Sequence, residues 1–507
     1  MKTHASVWVF NLRGNQRTQG ELSRKEGGKI FGSGSRTPIA ITILVKNPAK
    51  KGNAEIHYHD IGDYLTREQK LKIIRDFKSI KSRKMEWEII EPNKKGDWIN
   101  QRGDEFDNLI PLAPEKKFNL MSQSVFSTYV IGVATNRDAW VSGFSKEKVA
   151  ENMRAMISFY NSQIGIKQAS TDSTKISWTV NLLKDHSNGK EHSFTEEAFI
   201  ESHYRPFEKI NLLYDRNFIE RPGLWKRLFP TNNFHNIVIA VSGVGQQKPF
   251  SPFISNRVSD LQVVDKAQYF PLYYYDEITE TSGSLFDVID DEDKYIRRDG
   301  ISDWILKEVR SRFGNTKSLT KEHIFYYVYG LLHSNQYRSK FAAELKKSLP
   351  RIPIVERAED FMNFYKAGKE LADLHLNYEE VPACPEVMVD GDNPSGDPYA
   401  FYSVQKMRFP AKGQKDTIIY NGHIRITNIP ATAYEYVVNG KSAIEWIMER
   451  YQVTVDDGKN GSMIKNDPND WSREHSKPRY ILDLLLSVIN VSIKTVDIVN
   501  GLPQINI

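Results

Sequence analysis

The sequence predicts a multidomain protein that mixes α/β and α+β parts. Its 507 residues exceed the roughly 250–300 at which single hydrophobic cores stop growing, so roughly two to four domains are expected. Short strand patterns with few helices begin the chain and return between residues 170 and 280, whereas residues 301 to 380 are largely helical. Strand-rich and helix-rich stretches in separate blocks are typical of α+β architecture.

Three short strands and one helix are predicted near the N-terminus. The strands are SVWVFNL (6–12), IAITILV (39–45) and AEIHY (54–58), which are rich in β-branched and aromatic residues and bounded by turn formers. A helix is expected at about 66–80, with Thr66 as its N-cap. Residues 81–125 show no clear hydrophobic period, so we expect them to form a connector.

The rest of the chain alternates between strand and helix patterns. Apolar residues recur every three to four positions over 145–163, which predicts a helix. The strings ISWTVNLL (176–183) and NIVIAVSG (236–243) are interpreted as strands. Helices are predicted in WILKEVRSRF, KEHIFYYVYGLLHS, FMNFYKAGKELADLHL, SAIEWIMERY and PRYILDLLLSVINVSIKTVDIV. Weak domain boundaries are expected at 81–125, 281–300 and 383–400, where acidic or Pro/Gly-rich loops cluster.

Composition narrows the functional classes. The sequence has no run of about 18 apolar residues and no secretory leader pattern, so a cytoplasmic protein without a membrane partner is expected. Cys384 is the only cysteine, which excludes an internal disulfide and a multi-cysteine metal site. A net charge of +5 and a pI near 8.8 permit a polyanionic partner, although strongly basic nucleic-acid domains have a pI above about 9.

No self-contained active site is predicted. The loop GGKIFGSGSRTP matches neither phosphate-binding glycine fingerprint and leads into a strand instead of a helix. His57 and His59 share one strand face, but no third ligand follows at a metal-site spacing, so HYHD is interpreted as a solvated edge strand. The sequence therefore predicts no catalytic residue and no metal site.

Basic and aromatic residues interleave in SHYRPFEKINLLYDR (202–216), RPGLWKRLF (221–229) and FSPFISNRV (250–258). Arginine and lysine can neutralise phosphates, while asparagine and arginine can contact base edges. Each stretch alone is compatible with a solvated face. Their concentration between residues 200 and 260 makes nucleic-acid binding a candidate function.

Several strings, in this order, resemble the C-terminal part of Type ISP restriction-modification enzymes. They include WVFNLRGNQRTQGE, TNRDAWV (135–141), YRPFEKINLLYD (204–215), QYFPLYYYD (268–276) and YNGHIRITNIPATAYEYVVNGKSAIEWIMERY. Members of this family are single-chain bacterial proteins that join a nuclease, an ATP-driven translocase, an adenine-N6 methyltransferase and a target recognition domain. The resemblance covers almost the whole chain.

The resemblance implies a domain layout. Residues 1–80 would be the C-terminal strands of a Rossmann-like methyltransferase sheet, and residues 81–125 a connector. Residues 126–300 would be the DNA-contacting part of a mixed α+β target recognition domain, and residues 301–507 its helical and mixed support. The expected partner is double-stranded DNA.

The enzyme's catalytic motifs are not found in this sequence. Adenine-N6 methyltransferases of this class carry Asn/Asp-Pro-Pro-Tyr/Phe and a glycine-rich S-adenosylmethionine loop, and neither occurs here. No cofactor is therefore expected in this chain, whereas S-adenosylmethionine is expected for the complete enzyme. The methyltransferase, translocase and nuclease portion would come from the same gene or another chain. Two alternatives stay open: a complete but divergent DNA adenine methyltransferase, and an interaction subunit that does not bind DNA.

The resemblance also implies candidate site residues. Phe31 would stack on an extruded base at the rim of the methyltransferase pocket, and the small residues 32–35 would let the DNA backbone approach. Duplex contacts would come from Arg13, Arg17, Arg36, Arg137, Arg205, Lys209, Arg216, Lys248, Asn256 and Arg257.

Overall fold

The computed structural model describes residues 6–18, 20–32, 35–49, 52–114, 118, 121–231, 233–278, 294–314 and 317–505. These residues form two compact units. Unit 1 comprises Met1–Asn108, Gly245–Pro249 and Phe341–Lys347, and unit 2 comprises Leu109–Val244, Phe250–Lys340 and Ser348–Ile507. Most of the predicted 281–300 boundary, and Ser33 and Gly34 of the predicted base-pocket rim, lie outside the described residues.

The helices follow one another along the chain in a fixed order. They are α1 (Gly20–Glu26), α2 (Arg67–Phe77), α3 (Asp138–Val141), α4 (Lys146–Gln163), α5 (Val180–Ser187), α6 (Asp303–Arg312), α7 (Lys321–His333), α8 (Asn335–Lys340), α9 (Ala342–Lys347), α10 (Ala358–Leu376), α11 (Pro398–Phe401), α12 (Ala443–Arg450), α13 (Pro468–Glu474) and α14 (Tyr480–Asn500).

The strands are mostly short. They are β1 (Ser6–Arg13), β2 (Ile39–Val45), β3 (Glu55–Asp60), β4 (Glu88–Ile90), β5 (Ile110–Pro111), β6 (Val130–Ile131), β7 (Ser142–Gly143), β8 (Phe199–Arg205), β9 (Glu208–Leu213), β10 (Val238–Val241), β11 (Pro252–Ser255), β12 (Gln268–Pro271), β13 (Tyr273–Glu277), β14 (Tyr295–Asp299), β15 (Arg351–Ile352), β16 (Met388–Asp390), β17 (Ile418–Ile419), β18 (Arg425–Thr427), β19 (Val437–Val438), β20 (Lys441–Ser442), β21 (Thr454–Val455) and β22 (Lys465–Asn466).

Unit 1 contains a four-stranded sheet in the order β2-β1-β3-β4, in which β1 and β3 run parallel and the other pairs antiparallel. The three predicted N-terminal strands are confirmed, and β4 was not predicted. The predicted helix is α2, and Thr66 caps it by accepting a hydrogen bond from the Gln69 backbone N–H. Because Ser and Thr oxygens satisfy free N–H groups at helix starts, this cap was readable from sequence.

The edge strand β2 of this sheet is open to solvent over nearly its whole length. Its sequence IAITILV is apolar, yet every residue after Ile39 is exposed, including Leu44 at 54%. Exposed apolar edge strands are unusual in isolated soluble domains because they invite pairing with another chain.

The interpretation of HYHD as an edge strand was wrong. β3 pairs with β1 on one side and β4 on the other. The His57 ring stacks on Trp8 with 3.6 Å between ring centroids, and His59 Nδ1 lies 2.5 Å from the Glu86 carbonyl oxygen. Both imidazoles therefore pack within the sheet face, a position that the local sequence did not indicate.

Unit 2 holds several small sheets around one large apolar core. The orders are β11-β10-β12-β6, β7-β9-β8, β16-β18-β17, β13-β14, β15-β5, β19-β20 and β21-β22. The predicted strand in NIVIAVSG is confirmed as β10, all four residues of which are buried. The string ISWTVNLL was predicted as a strand and is wrong, because Thr179 caps helix α5 through the Leu182 backbone N–H.

The helical part of unit 2 closely follows the prediction. α7 and α10 pack tightly enough that a β carbon on Gly330 would come within 2.4 Å of the Phe364 carbonyl oxygen. The central helix α14 buries Leu482, Leu485 and Val488 completely. Among the described residues no helix is long and apolar enough to cross a membrane.

Candidate nucleic-acid interface

The hairpin of β8 and β9 organises one side of unit 2. These strands pair antiparallel, and β9 also pairs with β7. The tight turn between them places Phe207 at φ 60°, a left-handed conformation that bulky residues rarely adopt. Its fully buried ring packs edge-on against Phe253 and Tyr378, at centroid distances of 5.4 and 5.3 Å. Packing thus fixes the geometry of the hairpin.

A wide groove of about 800 Å³ opens at the start of β8. It is lined by Thr195, Glu197, Ala198, Ile200, Glu201, Tyr214, Asp215, Arg216, Asn217, Lys226, Phe229, Pro230, Thr231, Phe234, His235, Asn256, Arg257 and Val258. Three of the residues predicted to contact DNA, namely Arg216, Asn256 and Arg257, are brought together here from two distant segments. We call this surface the groove.

The groove carries two exposed cations. Arg216 and Lys226 are exposed, and neither forms an ion pair with any residue that the structure describes. Lys226 sits on a short 3-10 turn, Trp225–Arg227, whose Trp225 is fully buried and donates from Nε1 to the Ile131 carbonyl at 3.1 Å. Burial of the tryptophan holds the lysine outward.

Polar side chains that can both donate and accept lie beside these cations. Exposed Asn256 accepts a hydrogen bond through Oδ1 from Arg257 Nε at 3.0 Å, and Arg257 also pairs with exposed Glu201. Asn217 donates to the Asp215 carboxylate at 2.9 Å, which fixes the loop that carries Arg216. Asparagine, arginine and glutamate are side chains that address base edges in the major groove.

Tyr214 forms part of the rigid wall. Its hydroxyl donates to the Pro222 carbonyl at 2.7 Å, and its backbone N–H donates to the Ala198 carbonyl at 2.8 Å. Burial raises the pKa of Tyr214, so the phenol is neutral. The groove therefore has walls fixed by hydrogen bonds and exposed cationic side chains.

Other predicted contact residues lie in internal ion pairs. Arg205 Nη1 is 2.7 Å from Asp260 Oδ1, and Lys209 Nζ is 2.9 Å from Glu379 Oε2. Burial raises the pKa of Asp260 to about 6, although Arg205 opposes that shift. DNA contact by Arg205 and Lys209 stays a prediction, and their observed partners are carboxylates.

Arg137 and Lys248 lie in two further places. Arg137 is only 4% exposed and lines a separate cavity of unit 2. Lys248 belongs to unit 1 and is half-buried. Their contact with DNA also stays a prediction.

The unit 1 candidates cluster on adjoining loops. The backbone N–H of Gln16 donates to the Arg36 carbonyl at 3.0 Å, which brings the loop of Arg17 beside the loop of Arg36. Both arginines are exposed, and Phe31 is 59% exposed. Arg13 differs, because its Nε is 2.7 Å from Asp60 Oδ1 and it also pairs with Asp63. Base stacking by Phe31 and phosphate contact by these arginines stay predictions.

Sequence reasoning missed three groove residues: Lys226, Glu201 and His235. Lys226 and Glu201 lie within or beside the basic and aromatic stretches already singled out, but nothing local distinguishes them from other surface residues. Only the folding of residues 195–201, 214–217, 226–231, 234–235 and 256–258 onto one surface identifies them.

Two glycines of unit 1, Gly27 and Gly28, are packed closely against the chain. A β carbon on Gly27 would stand 2.2 Å from the Leu65 carbonyl oxygen, and one on Gly28 would stand 2.4 Å from the Arg67 backbone nitrogen. These glycines serve close packing of the chain against itself. No group of three potential metal ligands occurs among the described residues.

The chain belongs to the Type ISP restriction-modification family. The family model "Type ISP C-terminal specificity domain" matches residues 124–484, which is more than half of the 507 residues. No curated protein matches the sequence.

Solved structures of large DNA complexes are similar to the chain. A nuclease-deletion mutant of the Type ISP enzyme LlaGI, in complex with a DNA substrate mimic, is 42% identical with a TM-score of 0.84, over 99% of this chain and 44% of its own. The ATP-dependent Type ISP enzyme LlaBIII bound to DNA is 38% identical with a TM-score of 0.87, over 100% of this chain and 31% of its own.

The DrdV–DNA complex is 28% identical with a TM-score of 0.81, over 99% of this chain and 48% of its own. The chain therefore spans less than half the length of each of these three proteins. Their structures share its mixed α and β multidomain fold.

Proposed function

We propose that this chain recognises duplex DNA as the specificity part of a Type ISP restriction-modification enzyme. The observation that carries the proposal is the groove, which exposed Arg216, Lys226 and Asn256 line together. Cations at the rim can neutralise phosphates, while the amide can address a base edge. Similarity to three proteins solved with DNA supports the same function.

The contact set proposed for unit 2 is Arg216, Lys226, Asn256 and Arg257. In unit 1, exposed Arg17 and Arg36 are proposed to meet phosphates, and Phe31 to stack on an extruded base. Arg205 and Lys209 are left out of this set, because their carboxylate partners lie outside the groove lining, whereas Glu201, the partner of Arg257, belongs to it.

We further propose that the four-stranded sheet of unit 1 is the C-terminal part of a Rossmann-like methyltransferase sheet. The parallel pairing of β1 with β3 and the open apolar edge β2 support this. S-adenosylmethionine binding, translocation and DNA cleavage would then belong to a portion supplied by the same gene or another chain. The site of action would be the cytoplasm.

Duplex binding measured across salt concentrations tests the main proposal. A protein that neutralises Z phosphates shows a log–log salt slope of about −0.9Z. With the two groove cations and those of unit 1, a slope of roughly −2 to −4 is expected from fluorescence anisotropy with a mixed-sequence duplex.

Absence of duplex binding at low salt would contradict the proposal and favour an interaction subunit. Methyl transfer to DNA by the purified chain, given S-adenosylmethionine, would instead favour a complete but divergent methyltransferase. A single-stranded DNA of the same length, with a scrambled sequence that cannot form base pairs, serves as the control. It reports how much of the affinity depends on the duplex.

A further inference from the structure

A second surface of unit 2 carries cations and no carboxylate among the lining residues that the structure describes. It is an open depression of about 670 Å³, lined by Ala400, Ser403, Gln405, Lys406, Arg408, Ile419, Asn421, Gly422 and His423. The groove differs, because three carboxylates line it, those of Glu197, Glu201 and Asp215. We call this depression the second surface.

Two cations of the second surface are turned outward by a buried neighbour. Lys406 and Arg408 are exposed, whereas Met407 between them is only 3% exposed. Burial of the methionine therefore leaves both charged side chains in solvent. Neither cation forms an ion pair with any residue in the described part of the chain. Both are free to meet an anion.

The backbone that carries these side chains is fixed by hydrogen bonds. The N–H of Arg408 donates to the Ile419 carbonyl at 3.1 Å, and the N–H of Ile419 donates to the Arg408 carbonyl at 2.9 Å. The Gln405 carbonyl accepts from the Val453 N–H at 3.0 Å. Binding of a ligand would therefore order side chains only, which lowers its entropic cost.

The turn between β17 and β18 forms another wall of the second surface. Asn421 Oδ1 accepts from the His423 and Ile424 backbone N–H groups, both at 2.9 Å. Asn421 Nδ2 donates to the Phe401 carbonyl at 2.9 Å, and the exposed His423 ring stacks on Phe401 with 5.2 Å between centroids. Gly422 is exposed, and a β carbon built on it would meet no atom within 4 Å. A ligand can therefore approach this fixed turn closely.

We propose that the second surface binds the phosphate backbone of duplex DNA without reading its sequence. The inference rests on the proposed function, because the ligand is the duplex that the chain is proposed to recognise. Lysine and arginine neutralise phosphates and release their counterions, and an imidazole in either tautomer has an N–H to donate. Such contacts position a duplex but carry no sequence information.

Two observations favour a duplex over an acidic protein segment. Duplex DNA carries one negative charge per about 1.7 Å of its axis, whereas an extended acidic segment offers at most one per about 3.3 Å. The duplex therefore presents the denser anionic surface to Lys406 and Arg408. Three proteins similar to this chain were also solved with DNA.

A pair of double substitutions in the whole chain tests the proposal by fluorescence anisotropy. Lys406→Gln with Arg408→Gln is expected to weaken duplex binding about tenfold at moderate salt and to make the log–log salt slope less steep by about 2, since two phosphate contacts are lost. Two duplexes of unrelated sequence should be affected equally. The control, Lys366→Gln with Lys369→Gln, removes the same charge from exposed positions of α10 that lie beside Glu370 and Asp373, and should leave binding unchanged.

A carboxylate introduced at Gly422 gives a second test that leaves both cations in place. Because the position is open, Gly422→Asp is expected to leave the melting temperature unchanged. It should weaken duplex binding about fivefold through repulsion of the phosphates. Gly422→Asn, which has the same size and no charge, should bind the duplex as the unaltered chain does.

Duplex binding that neither Gly422→Asp nor the double substitution of Lys406 and Arg408 weakens would overturn this inference and leave the proposed function standing. An equal loss in the α10 control would also overturn it, because the effect would then depend on net charge alone. Polyglutamate that binds the unaltered chain more tightly than the duplex, and loses that affinity in the Lys406 and Arg408 variant, would assign an acidic protein partner instead. Absence of duplex binding by the unaltered chain would overturn the proposed function as well.

Discussion

Two basic regions of unit 2 both include residues of the hairpin of β8 and β9 and have opposite environments. In the groove, Arg216 is exposed and forms no ion pair with any residue in the part of the chain that the structure describes. In the interior, Arg205 pairs with Asp260 at 2.7 Å, and Arg450 pairs with the fully buried Glu208 at 2.8 Å. Both regions look alike in sequence, as basic residues among aromatic ones. The difference depends on whether a distant segment brings a carboxylate to the cation.

Residues of the interior ion pairs stabilise the fold, whereas the exposed residues of the groove are accessible to a partner. A charge removed from water requires a compensating partner, and loss of one partner leaves the other charge buried. An exposed cation has no such constraint. Substitutions in the interior should therefore lower stability, whereas substitutions in the groove should lower affinity.

The largest effect is expected from breaking the Arg205–Asp260 pair. Asp260→Leu leaves the Arg205 guanidinium buried without its carboxylate, and the free energy of unfolding is expected to fall by about 3 kcal/mol or more. Urea unfolding followed by circular dichroism measures this change. The double variant Arg205→Met with Asp260→Leu should recover most of the loss, because no unpaired charge is left.

Lys226→Gln is the matched control from the groove. Because Lys226 is exposed, its substitution is expected to change the unfolding free energy by less than about 0.5 kcal/mol. Equal losses for Asp260→Leu and Lys226→Gln would remove the distinction between the two regions.

A smaller effect is expected from His203, a buried residue of β8. Burial lowers the pKa of His203 to about 3, whereas an unfolded histidine has a pKa near 6.5. The neutral imidazole therefore stabilises the fold above pH 6.5, and that contribution is lost as the pH falls. The expected loss by pH 5 is about 2 kcal/mol.

His203→Gln removes this titration. The decrease in unfolding free energy between about pH 7.5 and pH 5 should be about 2 kcal/mol smaller in the variant. The titration of Asp260, whose pKa is raised, is common to both proteins and cancels in the difference. An unchanged pH dependence would contradict this, because it would show that His203 titrates in the folded chain as it does in the unfolded chain.

A smaller change in free energy than that expected for His203 is expected in DNA affinity at the groove. Arg216→Gln combined with Lys226→Gln should weaken duplex binding about tenfold at moderate salt and reduce the salt slope by about 2, since two phosphate contacts are lost. Lys494→Gln, an exposed lysine of α14 outside the groove lining, should leave both quantities unchanged. If Lys494→Gln weakened duplex binding as much as the double substitution in the groove, the DNA would be held by non-specific electrostatic attraction and not by the groove.

Local sequence patterns predicted helices and strands correctly where one signal, such as a helix cap or a β-branched run, was dominant. Thr66 before an apolar period marked α2, and a β-branched run marked β10. The strand prediction for ISWTVNLL failed because its β-branched and aromatic residues suggested a strand, whereas the Thr179 cap and the complete burial of Leu182 favour a helix. For β2 the sequence pattern was incomplete, because an apolar run predicts a strand but does not show whether other residues cover that strand.

The sequence predicted which residues belong to the candidate site, but not how they are arranged in space. Basic and aromatic stretches located Arg216, Asn256 and Arg257, which do share one groove. The same signal also selected Arg205, since the pairing with Asp260 depends on contact between β8 and a segment more than fifty residues away. Lys226 could be identified only from the structure, in which the burial of Trp225 holds the lysine outward.

Site-specific photo-cross-linking tests the central claim most directly, namely that the groove contacts duplex DNA. A benzophenone side chain is placed at position 216 in one protein and at position 494 in another, and each is irradiated with a labelled duplex. Cross-linking from position 216 that falls as salt rises, with little from position 494, is the predicted result. A duplex that binds the chain yet cross-links from position 494 and not from position 216 would contradict the account.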